Sequence, residues 1–253
     1  MSEAGARRFA GKVIAVSGAA GGIGEALTRR FLAEGGAVAA VDRDGAALDR
    51  LAAALAAGEA LLPCPTDVSR EADCAALADR IRERWGRLDV LVNNAGYFPI
   101  RRFDELTFAE WREVVSVNLD SVFLMVRSLL PLMRGRGWGR IVNIGSGSVF
   151  KGPARQAHYV AAKAGVIGLT RCLANELGRD GITANVVTPG LTDTPGARGV
   201  FTAEELGARA ATLPIPRVQR AEDLVGAVTF LASDDAAFIT GQIVNVDGGS
   251  VLR

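Results

Sequence analysis

A tyrosine and a lysine stand four residues apart in "HYVAAKAGVIGLTRCLANELG", the stretch that begins at His158. Composition and apolar spacing predict a helix here. At a period of 3.6, Tyr159, Lys163, Ile167, Thr170, Ala174 and Leu177 fall close to one stripe, which a globular protein turns inward. A lysine on that stripe has two readings. It can snorkel its ammonium past the rim of the core and do nothing further. Alternatively, its charge favours the phenolate of Tyr159, a group whose ordinary pKa of about 10 makes it a poor base near neutrality. A phenol tuned in this way exchanges a proton with a substrate oxygen. His158 points about 100° away round the helix and is predicted to lie at a rim or in solvent, outside the chemistry.

A second stretch, "SGAAGGIGEALTRRFLAEG", has the residue types of a phosphate cradle, with glycines at 18, 21, 22 and 24 leading into an amphipathic helix. Gly18 can make the tight turn, Gly22 admits a diphosphate close to the backbone, and Gly24 lets helix and strand pack closely. Its spacing differs from the common dinucleotide fingerprint, and a plain strand-to-helix turn would use similar residues. Asp42, ending "AVAAVD", adds a partner for ribose at roughly the expected distance of ~20 residues beyond the glycines. An acid there accepts from both ribose hydroxyls and repels a 2′-phosphate, which favours NAD over NADP. Arg43 complicates this, because a guanidinium could pair with that phosphate or stack on the adenine.

These groups need a scaffold, and the rest of the chain supplies its pattern. Short β-branched runs, "KVIAVS", "AVAAV", "LLPCP", "LDVLVNN", "RIVNIG", "ITANVV" and "QIVNV", alternate with helical stretches. This predicts an α/β fold: a Rossmann-type doubly wound parallel sheet of about seven strands with helices on both faces, in a single domain over 1–253. Residues 191–217, rich in glycine, proline and threonine, are predicted to form a substrate lid containing a short helix. A formal charge of +1 gives no footprint for nucleic acid or an anionic membrane, which leaves a small-molecule pocket. Cys64, Cys74 and Cys172 have no metal-like spacing, so no metal is expected. The N-terminal "MSEAGARRFAGK" has no apolar signal core, and "AALDRLAAALAAGEALL" is interrupted by charges, so a cytoplasmic location is expected.

Further motifs make the pattern specific: "NNAG" at 93–96, "GRIVNIGS" ending at Ser146 thirteen positions before Tyr159, "TPGLTDT" and "ITGQIVNVDGG". Together with Tyr159 and Lys163 they resemble the short-chain dehydrogenase/reductase family over nearly the whole chain, most closely its bacterial NAD-dependent alcohol dehydrogenases. The resemblance implies that Tyr159 passes a proton to or from the substrate oxygen and that Ser146 holds that oxygen. Lys163 would hydrogen-bond the nicotinamide ribose, with the oxidised ring adding positive charge near the phenol. Asn118, which interrupts the stripe Trp111, Val114, Val115, Val122, Met125, Val126 and Leu129, would complete a water-linked proton relay; a satisfied structural asparagine is the other reading.

The cofactor set implied is Gly18, Gly22, Ile23, Asp42, Arg43, Asp67, Val68, Asn94, Gly96, Tyr159, Lys163, Pro189, Gly190, Thr192 and Thr194. Asp67 also reads as an ordinary turn or cap. Ser17 stands where the family usually has threonine, and Thr192 where it often has an aliphatic residue. Tyr97, Phe98 and Ile100, with Val149 and Phe150, match positions that line the family's substrate cleft, suggesting an apolar or aromatic alcohol or its carbonyl; Tyr97, Ser146, Phe150 and Tyr159 are the substrate-binding candidates. A homotetramer is implied through the helices near 107–133 and 157–179. Two rival functions remain: a 3-oxoacyl-carrier-protein reductase, which would favour NADPH and basic docking residues, and a non-catalytic dinucleotide sensor, which would have no use for Asn118, Ser146, Tyr159 and Lys163 as a set.

Overall fold

A computed structural model describes residues 7–252. Each β-branched run forms a strand: β1 (Val13–Ser17), β2 (Ala37–Asp42), β3 (Leu61–Pro65), β4 (Val90–Asn93), β5 (Gly139–Ile144), β6 (Ile182–Pro189) and β7 (Ile243–Val246). They make one sheet in the order β3-β2-β1-β4-β5-β6-β7, every neighbouring pair parallel. The central strands are buried along their whole length, which explains why they read as continuous apolar runs instead of alternating ones.

Two cores flank the sheet. Ile14 and Val16 of β1 face one of them, filled by α1 (Gly22–Ala33), α2 (Gly45–Leu55) and α10 (Glu222–Leu231). Val13 and Ala15 face the other, filled by α3 (Glu71–Trp85), α5 (Ser121–Met133) and α7 (Ala157–Leu177). Strand order reverses direction between β1 and β4, so the loops leaving their C-terminal ends diverge and open a crevice. Two glycines shape its floor. Gly18 has φ +65°, and a Cβ on Gly24 would sit 1.9 Å from the Gly18 carbonyl oxygen, a contact no side chain survives.

The predicted long helix over 107–133 is interrupted. α4 (Phe108–Val115) passes through a π-helical turn at Ser116–Asp120 before α5 begins. The Asn118 side-chain amide donates at 2.9 Å to the Val114 carbonyl, the acceptor that residue 118's own N–H would meet in a regular α-helix. Phe108–Met133 is long and apolar enough by length and composition to cross a membrane. Its apolar side is instead spent in the fold, where Val114, Val122, Met125, Val126, Leu129 and Met133 are buried.

Candidate active site

Tyr159 and Lys163 project from the first turns of α7 toward the C-terminal end of β5, and the loop after β5 carries Ser146. Ser146 faces the Tyr159 phenol, and its Oγ accepts from the Ser148 N–H at 3.2 Å. The Lys163 ammonium lies 5.9 Å from the Tyr159 ring centre, is 3% exposed, and donates at 2.8 Å to the Ile144 carbonyl. Burial dominates the electrostatics of both groups. It raises the Tyr159 phenol above its ordinary value, with the Ser146 hydroxyl pulling back, and brings Lys163 down to about 8. The protein alone thus keeps Tyr159 protonated; the lowering expected from Lys163 by itself is outweighed by desolvation.

Asn118 completes this cluster from behind. It is fully buried, donates at 2.7 Å to the Tyr97 carbonyl and accepts at 3.2 Å from the Tyr97 N–H. A Cβ on Gly96 would come within 3.2 Å of Asn118 Oδ1 and 3.8 Å of Lys163 Nζ, so a side chain there would crowd the Asn118 amide. Backbone groups therefore occupy both ends of the Asn118 amide, which ties the loop after β4 to the π turn.

The groove beside this cluster fits a dinucleotide. Gly21 caps α1 without any side-chain hydrogen bond, leaving the first-turn N–H groups of α1 available to an anion. Asp42 ends β2 with Oδ2 accepting from the Ala20 N–H at 3.1 Å, which fastens it to the glycine turn. Ser17 keeps the hydroxyl role, since its Oγ accepts from the N–H groups of Asn94 and Ala95 at 2.9 and 3.0 Å. Asn94 in turn donates to the Ser17 carbonyl at 2.9 Å.

Asp67 accepts from both the hydroxyl and the N–H of Ser69, bonds that hold its carboxyl below the usual range with some help from Arg70 and the exposed Arg43. The turn reading of Asp67 is thus realised, beside the buried Val68. Thr192 hydrogen-bonds the Gln219 side chain at 3.1 Å, and Thr194 caps α8 (Pro195–Arg198) while its methyl lies where a Gly22 side chain would be.

A cavity of about 380 Å³ joins these parts, bringing Ile23, Asn94 and Gly96 together with Ser146, Tyr159 and Lys163, and with Pro189, Gly190, Thr192 and Thr194. Gly18, Gly22, Asp42, Arg43, Asp67 and Val68 lie beyond it, along the C-terminal edge of β1, β2 and β3. Its roof is the 191–217 segment, folded into α8 and α9 (Ala203–Ala210), the second closed by a Thr202–Glu205 capping box.

Three expectations need correction. Tyr97 is 41% exposed and is absent from the cavity wall; the next residue, Phe98, takes that place with its ring 5.9 Å from that of Tyr159. Phe150 also lies off the wall, where Ser148 and Lys151 of α6 (Ser148–Lys151) stand instead. The Tyr97–Phe98 difference follows from loop backbone, which has no period to read, and that at Phe150 from a single-turn helix too short to define a face. His158 is 1% exposed, not at a rim, because α4 covers α7 on the side away from the sheet and widens its buried arc. Burial lowers its pKa, with the Gln156 backbone and the Glu110 carboxylate pulling the other way. The sequence reading also missed Lys151, Arg209 and Gln219 on the cavity wall.

Residues 18–250 match the family described as Enoyl-(Acyl carrier protein) reductase. The chain is 44% identical over 243 residues to cis-4-hydroxycyclohexanecarboxylate dehydrogenase of Sinomonas cyclohexanicum, covering 95% of this chain and 97% of that one. It is 37% identical over 248 residues to 3-oxoacyl-[acyl-carrier-protein] reductase of Escherichia coli, covering 96% and 99%. A crystal structure of a short-chain dehydrogenase/reductase, glucose/ribitol dehydrogenase from Brucella melitensis, superposes with a TM-score of 0.93 at 30% identity, covering 97% of this chain and 99% of that chain.

Proposed function

The chain belongs to the short-chain dehydrogenase/reductase family, and from that premise we propose that it interconverts an alcohol and its ketone or aldehyde with NAD(H), on an apolar or aromatic substrate. The observation that carries the reading is the meeting of Ser146, Tyr159 and the buried Lys163 on the wall of one cavity that also holds apolar side chains. NAD, when bound, supplies the hydride acceptor and the positive ring that favours the phenolate. Ser146 holds the substrate oxygen, Tyr159 takes or returns its proton, and Lys163 orients the ribose and carries the charge that the phenolate needs. Phe98 excludes water beside the phenol. Asn118 positions the loop after β4 and, through Lys163, the relay.

The relative from Sinomonas bears the name of an enzyme acting on a ring alcohol, which agrees with this cavity. A spectrophotometric screen of cyclohexanols, aryl alcohols and their ketones with NAD(H) and NADP(H) tests the proposal. Absence of any nicotinamide turnover rejects it. The similarity to the Escherichia coli reductase favours a second reading, reduction of 3-oxoacyl thioesters. A clear preference for such thioesters with NADPH over simple ketones would establish that one instead.

Asp42 supports NAD over NADP. Its carboxylate keeps free lone pairs at the end of β2 after accepting from Ala20 and Asp44. Asp42→Ala is expected to lower the NAD to NADP ratio of kcat/KM by about tenfold, the worth of one charged hydrogen-bonded contact. A wild-type protein already favouring NADP would reverse the assignment and put Arg43 in control.

We also propose a homotetramer. Phe108 and Phe123 are exposed on the helices of 107–133, α7 exposes the small residues Ala161, Ala164 and Gly168, and Phe238 is fully exposed after α10. Light scattering at micromolar concentration is expected to give four times the chain mass; a monomer would contradict this.

A further inference from the structure

We propose that the substrate is anionic: a carboxylate-bearing alcohol, or the matching oxo acid, whose carboxylate is held at the outer end of the cavity by Arg209 and Lys151. The proposal rests on the alcohol–carbonyl reading of the inner end. The two cations belong to different walls. Lys151 ends the short helix that follows Ser146, and Arg209 lies in the last turn of α9, on the roof.

What matters is which charges are already satisfied. Arg217, the third cation of the mouth, is locked to Asp223 through two bonds of 2.6 and 2.7 Å. Arg209 meets no carboxylate within ion-pair distance among the described residues, and its guanidinium instead stacks over the Phe201 ring at 4.7 Å. Phe201 is buried, so the stack holds the guanidinium at the edge of the apolar roof with its donors free. The Lys151 ammonium donates to the Ser250 hydroxyl, a neutral group that leaves its charge uncompensated. The one acid on the wall among the described residues, Asp247, is 5% exposed and packs against Gly147 and Gly190, with Oδ1 accepting from the Gly249 N–H. The mouth therefore presents two open positive charges and no accessible negative one.

The wall that these cations share with Ser146 and Tyr159 also carries the apolar side chains of Phe98, Ala197, Phe201, Leu206 and Leu213, with Gln156 and Thr212 as neutral polar neighbours. A molecule filling the site carries oxygen at one end, hydrocarbon in the middle and an anion at the other. A carboxylate suits the planar fork of an arginine, which can donate two parallel bonds to it. A 2-hydroxy acid is disfavoured, because its carboxylate would lie beside the carbinol, among the apolar side chains and away from both cations.

The test uses matched pairs: 4-(1-hydroxyethyl)benzoate and its methyl ester for oxidation, and 4-oxocyclohexanecarboxylate and its methyl ester for reduction. In the wild-type protein the acid is expected to exceed the ester in kcat/KM by at least about tenfold, the size of one charge-assisted pair. Arg209→Met is expected to bring that ratio close to unity, Arg209→Lys to restore part of it, and Lys151→Met to reduce it less. Raising ionic strength should shrink the wild-type ratio, since both cations are exposed. An ester turned over as well as its acid, or a ratio unmoved by both Met variants, overturns the proposal and leaves the alcohol–carbonyl reading intact. Arg209-dependent turnover confined to phosphopantetheine thioesters overturns it too, in favour of a phosphate at the mouth. Turnover of neither acid, neither ester nor any other alcohol or ketone overturns both.

Discussion

Tyr159→Phe is expected to lower turnover at least about 100-fold, the lower range of what a positioned proton-transfer group contributes, while NADH affinity changes little. The substitution removes one hydroxyl and keeps the ring that packs near Phe98. No neighbour can take over the proton. Ser146 is an alcohol of far higher ordinary pKa, the Lys163 ammonium is turned to the Ile144 carbonyl, and His158, although next in sequence, is buried on another face of α7. The affected step is thus confined to the transfer between substrate oxygen and phenol. Single-turnover measurements with NAD and an accepted alcohol, beside a fluorescence titration with NADH, separate chemistry from binding. Retained turnover would remove Tyr159 from the mechanism.

Lys163→Met is expected to cost turnover by a similar or larger factor and at the same time to make the protein more stable at neutral pH. The sign follows from proton counting. The folded group titrates at about 8 and the unfolded one near 10.5, so between these values the unfolded chain holds more protons and wild-type stability rises with pH. The penalty is present in full below about pH 8 and fades toward pH 10.5. Removing the charge relieves it, partly offset by leaving the Ile144 carbonyl without its donor, for a net gain of roughly 1–3 kcal/mol at pH 7. Urea unfolding at pH 7 and pH 9.5 checks both statements: the variant should be the more stable at pH 7 and should lack the wild-type rise. A variant that is less stable at pH 7, with an unchanged pH slope, would show that the burial of Lys163 costs nothing. NADH binding should weaken together with turnover, which a purely structural lysine would not produce.

The sheet was legible because buried parallel strands leave continuous β-branched runs that no surface constraint interrupts, as in "RIVNIG" and "ITANVV". The Tyr159–Lys163 stripe was legible for the same kind of reason: a 21-residue helix repeats its inward face often enough to define it. That repeat does not say how many layers cover the helix. His158 was therefore placed outside, although α4 closes over it. The apolar residues on either side of Asn118 continue the pattern of one helix, so its π turn left no mark in the spacing. Loop residues carried least information. Phe98 rather than Tyr97 faces the cavity because of the path of the loop after β4, and Arg209 acquires its setting only when α9 folds over the sheet edge.

Ser116–Asp120 holds one residue more than an α-helical path of the same rise requires. A chain built in this way responds unusually to changes in length. Deleting a single residue between 116 and 120 would let the backbone heal into a continuous α-helix of about the same rise and turn, so the two flanks would keep their faces and only the residues of the turn itself would be displaced. Val122, Met125 and Val126 would stay in the core, but Asn118 would swing away from Tyr97 and Val114. In the exposed turn at 134–137 the loss of a residue disturbs no such contact. Across an evolving lineage, then, this stretch is expected to accept exchanges of residue type while resisting insertions and deletions, because the reach of Asn118 depends on chain length as much as on side-chain identity.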